Sequence, residues 1–69
     1  MDSEIIKNQL NEAITNALEA CASGKELIDR IIPLETNPNI VQNLHDLWRF
    51  TNDLEHLFFI LKRIINFEN

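Results

Sequence analysis

The sequence turns at residues 33–38, Pro33-Leu34-Glu35-Thr36-Asn37-Pro38, where two prolines bracket a short polar stretch. A proline disfavours helical backbone in the residue before it, so a first helix should end near Ile32. Asn37 is a good N-cap, and Pro38 suits the first position of a helix, where a missing N–H leaves no hydrogen bond unmade. A connection this short favours antiparallel neighbours, so residues 33–38 predict a helical hairpin.

The composition on both sides of this turn indicates an all-α chain. The 69 residues contain one glycine and two prolines, and apolar residues recur at spacings of three and four rather than two. A chain of this length forms one domain at most. We therefore expect a single helical-hairpin domain over residues 1–69, with helices over about 3–32 and 38–66 and a loop at 33–37.

Each predicted helix has an apolar line with the alternating steps of four and three that mark the contact between packed helices. In the first helix this predicted contact line consists of Ile6, Leu10, Ala13, Ala17, Ala20, Gly24, Leu27 and Ile31. The residues that widen it on one side are Ile14, Leu18, Cys21 and Ile28. In the second helix the predicted line consists of Ile40, Leu44, Leu47, Thr51, Leu54, Phe58, Leu61 and Ile65.

The middle of the first helix contains a possible break. Gly24 costs a helix interior about 1 kcal/mol relative to alanine. Ser23 and Glu26 also have the spacing of a capping box, which marks the start of a new helix. We expect a continuous or gently kinked helix here, with a break at Gly24 as the alternative.

Leu57–Leu61 is a run of five consecutive apolar residues, which places apolar side chains all the way round the second helix. A two-helix hairpin buries only one face of each helix, so the remaining apolar surface requires a bundle of at least three or four helices. We expect this bundle to be completed by self-association or by a partner protein. The predicted protein interface consists of Trp48, Phe50, Leu57, Phe59, Ile60, Ile64 and Phe67.

The residues that could carry chemistry are few. Cys21 lies among alanines without a nearby cationic or basic side chain to activate it, so we interpret it as a buried structural thiol. His45 and His56 stand about 16 Å apart along one helix, too far apart to bind one metal ion together. The sequence also lacks a glycine-rich phosphate loop. We therefore expect no enzymatic activity, no cofactor and no metal site.

The charge and the apolar runs exclude further classes of function. The formal net charge is -5, which disfavours nucleic acid and anionic membrane as partners. No apolar run exceeds five residues, whereas a transmembrane helix needs about 20. The acidic amino terminus does not resemble a secretory signal, and one cysteine fits a reducing compartment. We expect a cytoplasmic protein without a membrane partner.

In architecture, the chain resembles the small helical-hairpin co-chaperones that guard needle subunits in type III secretion. The shared features are a length near 70 residues, a long first helix, a short turn and a second helix that ends in a bulky apolar run, here Leu54–Ile65. The resemblance implies an adaptor or chaperone that binds a helical-repeat protein and a secreted client together. It assigns no functional residue.

Two alternatives remain open. One is a regulator that forms a homodimeric four-helix bundle, similar to the RNA-modulating hairpin dimers of the Rop family. The basic side chains here are sparse, and Asp53 and Glu55 lie between them, which disfavours RNA binding. The other alternative is a small inhibitor or immunity protein, whose acidic surface would imitate nucleic acid.

Overall fold

A computed structural model describes the backbone of residues 2–67 and the side chains of residues 3–66. Two helices of 30 residues each account for most of this range: α1 spans Asp2–Ile31 and α2 spans Pro38–Phe67. A short 3-10 helix, Ile32–Leu34, follows α1 directly. Because residues 2–67 contain no strand, the prediction of an all-α chain with two helices is confirmed.

The two helices lie side by side and run antiparallel. Thr15 on α1 is hydrogen-bonded to Lys62 on α2, and Lys25 on α1 is hydrogen-bonded to Asn52 on α2. Along the long axis of the hairpin, residue numbers therefore increase in α1 in the direction in which they decrease in α2. The Cα atoms extend over 53 × 14 × 14 Å, which suits two adjacent helices of about 45 Å joined by a turn. This arrangement fits the predicted hairpin.

The turn is stabilised by hydrogen bonds from its own polar residues. The Asn37 side-chain oxygen accepts a hydrogen bond from the Asn39 N–H at 2.9 Å, and the Asn37 carbonyl accepts one from the Val41 N–H at 3.0 Å. The Glu35 carboxylate accepts hydrogen bonds from the N–H groups of Thr36 and Asn37, both at 3.1 Å. The prediction that Asn37 caps the second helix is confirmed.

The first helix is continuous through Gly24. Its α-helical hydrogen bonding extends to Ile31 and gives way to the 3-10 helix at Ile32, the residue before Pro33. Gly24 does not adopt positive φ. A β-carbon added at Gly24 would meet no atom within 4 Å, so its position borders open space in the isolated hairpin.

The contact between α1 and α2 follows a heptad pattern that we call the seam, and each of its residues is buried or half-buried. From the first helix and the adjoining 3-10 helix, the seam contains Lys7, Asn11, Ile14, Leu18, Cys21, Lys25, Ile28 and Ile32. From α2 it contains Val41, Leu44, Trp48, Thr51, Glu55, Phe58, Lys62 and Ile65. The best-buried cluster joins Ile14, Leu18 and Ile65, with Phe58 packed against it.

The contact line predicted for the first helix is wrong, because its large residues lie on the surface. Ile6 and Leu27 are each 60% exposed, and Leu10 and Ile31 are 43% and 47% exposed. The residues expected only to widen the stripe form the α1 core instead; they are Ile14, Leu18, Cys21 and Ile28.

The line predicted for the second helix is correct at alternate positions. The members that belong to the seam are Leu44, Thr51, Phe58 and Ile65. Ile40, Leu47 and Leu61 are 40% to 50% exposed instead. The prediction followed the most apolar line of each helix, whereas the seam accommodates several long polar side chains that pair across it.

Candidate protein-interaction surface

The surface of the hairpin has a second apolar line on each helix, outside the seam. We call the two lines together the apolar face. On α1 it consists of Ile6, Leu10, Ala13, Ala17, Ala20, Gly24, Leu27 and Ile31. On α2 it consists of Ile40, Leu47, Phe50, Leu54, Leu57, Leu61 and Ile64. These residues also follow steps of three and four, interrupted on α2 by Asn43, so the apolar face runs along nearly the whole length of both helices.

The two lines lie on the same side of the hairpin. In a heptad they occupy the positions just before the seam residues, and on antiparallel helices these positions are adjacent across the contact. The hydrogen bonds that cross the seam involve the opposite side, where Thr15 on α1 and Asn52 on α2 immediately follow seam residues. The hairpin therefore has one apolar side and one polar side.

Lys25 is the centre of the polar contacts between the helices. Its ammonium donates hydrogen bonds to Asn52 Oδ1 at 2.9 Å and to Glu55 Oε1 at 2.7 Å. The same nitrogen lies 5.2 Å from the centroid of the Trp48 ring, within cation–π distance. The side chains of Lys25 and Glu55 are only 18% and 13% exposed, so this ion pair is part of the packed structure.

A second polar contact lies nearer the open end of the hairpin. Lys62 Nζ donates a hydrogen bond to Thr15 Oγ1 at 3.0 Å, and Thr15 in turn donates to the Asn11 carbonyl at 3.0 Å. With the Lys25 contacts, this bond fixes which residues of α1 lie level with which residues of α2. The polar side thus contributes to the alignment of the two helices.

The apolar face is large for a chain of this size. Ten of its large apolar side chains are at least 40% exposed, whereas five apolar residues among the described ones are buried. The chain exposes 5436 Å², about 900 Å² more than surface–mass scaling gives for a compact protein of 8.1 kDa. One partner in a standard protein–protein interface contributes about 800 Å². The excess reflects the elongated shape of the hairpin, and the exposed surface is sufficient for one such interface.

The predicted interface residues occupy three different places. Phe50, Leu57 and Ile64 belong to the apolar face and are 67%, 62% and 51% exposed, and Ile60 lies at its outer edge with 54% exposed. Phe59 is similarly exposed at 54% but follows the seam residue Phe58, which places it on the polar side. The face thus unites only part of the predicted set.

The other two predicted interface residues are Trp48 and Phe67. Trp48 lies half-buried in the seam beneath Lys25, with its Nε1 atom buried and without a hydrogen-bond partner among the described residues. The side chain of Phe67 lies outside the described residues.

The sequence wrongly predicted that the small residues of α1 lie in its contact with α2. Ala13 and Ala20 are exposed and Ala17 is half-buried, all on the apolar face rather than in the contact with α2. The ion pair of Lys25 and Glu55 marks the true seam, but it forms only when the two helices meet and gives no signal within either helix alone.

The residues considered for chemistry are separate from one another. Cys21 is 7% exposed and lies in the seam, while His45 and His56 are both exposed. Within the range that the structure describes, we find no cavity and no group of three or more side chains arranged to hold a metal ion. Neither of the helices, over their described residues, combines the length and the apolar character that crossing a membrane demands.

Comparisons of this chain with known proteins identify no relative. The chain matches no protein family, and neither curated proteins nor solved structures give a match.

Proposed function

We propose that this chain is a non-catalytic protein–protein interaction module, of the adaptor or chaperone-like kind, that buries its apolar face against another protein chain. The observation that carries the proposal is the separation of the two sides. The polar bonds of Lys25 with Asn52 and Glu55, and of Lys62 with Thr15, lie at or beside one edge of the seam, and the apolar residues of both helices line the other edge.

Most of the apolar face lies outside the packing of the hairpin itself. Ile14, Leu18 and Ile65 already form the core with Phe58, and the Lys25 and Lys62 contacts align the helices. Contiguous apolar patches above a few hundred Å² are rare on monomeric proteins, and those that occur mark interaction sites. We therefore expect a partner chain to bind this surface and exclude water from it.

The remaining surface supports a protein partner over nucleic acid. The basic residues Arg49 and Arg63 on α2 are exposed, but Arg49 is paired with Asp46 at 2.6 Å and Asp53 lies one turn further along. Phosphate binding depends on unpaired, clustered cations. The far side of α1 presents Glu12, Glu19 and Glu26 at seven-residue spacing, which keeps that side in water and leaves the apolar face as the contact surface.

Two substitutions of α2 test the proposal as a matched pair. Leu57→Glu and Phe59→Glu introduce the same charge two residues apart, at side chains that are 62% and 54% exposed on opposite sides of the hairpin. We expect the wild-type chain to associate as its concentration rises. Leu57→Glu should stay monomeric, because association would bury an unpaired carboxylate, while Phe59→Glu should behave as the wild type.

Sedimentation equilibrium over a wide concentration range measures this difference, and circular dichroism verifies that both variants remain helical. The proposal is contradicted if the wild-type chain is a monomer at every concentration and is as soluble as Leu57→Glu, because an uncovered apolar face lowers the solubility of a chain. Equal effects of Leu57→Glu and Phe59→Glu on association would also contradict it, because the apolar face would then have no special role.

A further inference from the structure

We propose that the occupant of the apolar face is a second copy of this chain, bound so that α1 of each copy packs on α2 of the other. The two hairpins then form a closed four-helix bundle with a two-fold axis parallel to the helices. The inference rests on the proposed function and names its partner.

The seam and the apolar face are separated by the angle that a four-helix bundle requires. On each helix the apolar line is rotated by about 100° from the seam, as the heptad spacing of the two lines requires. A helix in a four-membered bundle contacts two neighbours in directions about 90° apart. Both helices therefore have the two contact directions of a four-helix bundle, and the hairpin fills one of them.

The apolar face has small residues on α1 at the levels where it has large residues on α2. Thr15 lies level with Lys62, so five residues further along α1, Ala20 lies level with Leu57. On the apolar face, α1 presents small residues throughout this region; they are Ala13, Ala17, Ala20 and Gly24. At the same levels α2 presents large ones; they are Leu54, Leu57, Leu61 and Ile64.

A two-fold axis parallel to the helices retains these levels in the second copy. The small residues of α1 then face the large residues of α2 from the other chain, on both sides of the bundle. Gly24 is consistent with a close approach, because the space beside it is open in the isolated hairpin. Small residues opposite large ones allow all four helix axes to keep one spacing within the usual 8–10 Å.

The other face-to-face arrangement is less compatible with these residues. A two-fold axis perpendicular to the helices places α1 on α1 and α2 on α2, so small residues meet small and large meet large. One contact then needs a closer helix spacing than the other. With the hairpins fully overlapped, the α2 contact also brings Asp53 of one copy beside Asp53 of the other, which is repulsive.

One pair of opposite charges at the outer edge of the apolar face favours the two-fold axis parallel to the helices. Lys25 lies level with Asn52, so five residues further along α1, Arg30 lies within about one residue of the level of Asp46. Both side chains are exposed at the outer edges of their helices, where Arg30 pairs with Glu26 and Asp46 pairs with Arg49 of the same helix. When α1 packs on α2 of the second copy, Arg30 comes opposite Asp46 of that copy, so opposite charges meet at this edge.

Two alanine substitutions test whether a second copy covers the face. Ala20 belongs to the apolar face and Ala22 to the polar side, and both are exposed in the hairpin, so Ala20→Glu and Ala22→Glu make matched changes in one helix. We expect the wild type and Ala22→Glu to have the mass of two chains. Ala20→Glu should raise the dimer dissociation constant at least about 100-fold, because it buries an unpaired carboxylate.

Mixed disulfides test the arrangement within the same dimer. With Cys21 replaced by serine, one chain carries Ala20→Cys and a second chain of different mass carries Leu57→Cys. We expect oxidation of the mixture to give mainly the mixed disulfide, because the two positions lie level on facing helices. Predominant disulfides between two identical chains would overturn the proposed pairing of α1 with α2.

The failure of this inference is distinguishable from the failure of the proposed function. Association that Leu57→Glu abolishes, but whose mass is not that of two chains, overturns the second copy as sole occupant and leaves the interaction surface intact. A wild-type chain that stays monomeric by itself also overturns the inference. If the monomer is moreover as soluble as Leu57→Glu, the proposed function fails with it.

Discussion

Lys25 connects the two helices at the residue scale, where its ammonium contacts Asn52, Glu55 and the Trp48 ring. Lys25→Met keeps the aliphatic stem but leaves the Glu55 carboxylate, only 13% exposed, without its cation. We expect this change to lower the free energy of unfolding by about 2 kcal/mol, between the values for exposed and fully buried ion pairs. Urea denaturation at a fixed chain concentration measures it.

Glu26→Gln provides the control within the same helix. Glu26 pairs with Arg30 at 3.1 Å, but both side chains are mostly exposed and Glu26 lies on the far side of α1, so the loss should stay below about 0.5 kcal/mol. If Lys25→Met were no more destabilising than Glu26→Gln, the Lys25 contacts would have no part in aligning the helices.

The polar seam residues also explain why the sequence did not predict which line of α1 contacts α2. Apolar periodicity assigns the most apolar line of a helix to its main contact, and on α1 that line runs through Ile6, Leu10 and Leu27. The contact actually follows Lys25 and its neighbours in the heptad, because a long polar side chain is tolerated there once Asn52 and Glu55 satisfy its charge. Such pairing depends on the other helix and is invisible within one helix.

At the scale of the elements, the start of α2 depends on Asn37. Its side-chain oxygen accepts the Asn39 N–H, which would otherwise lack a partner in the first turn. Asn37→Ala should lower the free energy of unfolding by about 1 kcal/mol, while Asn37→Asp should cost little, because aspartate caps equally well. Denaturation midpoints of the two variants check this, and equal losses in both would indicate that the cap bond contributes nothing.

Local chemistry made this element predictable. The prolines at 33 and 38 and the cap at Asn37 act within a few residues of the turn, so the sequence alone predicts where one helix ends and the other begins. The structure agrees to about one residue, with α1 ending at Ile31 and α2 starting at Pro38. The continuity of α1 through Gly24 was the one local feature on which the signals conflicted.

At the scale of the whole molecule, stability should depend on concentration. A chain that buries its apolar face in a dimer gains stability by mass action, so its Tm should rise by several degrees between about 1 and 100 μM. The Tm of Leu57→Glu should not change over this range. Differential scanning calorimetry measures both, and a concentration-independent Tm for the wild-type chain would contradict self-association.

The sequence also predicted part of the surface at this scale. The excess of apolar residues in Leu57–Leu61 indicated that one hairpin cannot bury them, and Leu57, Phe59 and Ile60 are all more than half exposed. Their division between opposite sides could not be predicted, because it depends on the rotation of α2 about its axis. The polar bonds of Lys25 and Lys62 set that rotation.

The position of Trp48 makes its fluorescence a specific signal of the contact between α1 and α2. It is the sole tryptophan of a chain without tyrosine, so emission excited near 295 nm arises from this one side chain. Trp48 lies in the seam under Lys25, away from the apolar face. Its emission should therefore follow the separation of α1 from α2 and respond little to the binding of a second chain, so that folding and assembly can be recorded as separate signals in one sample.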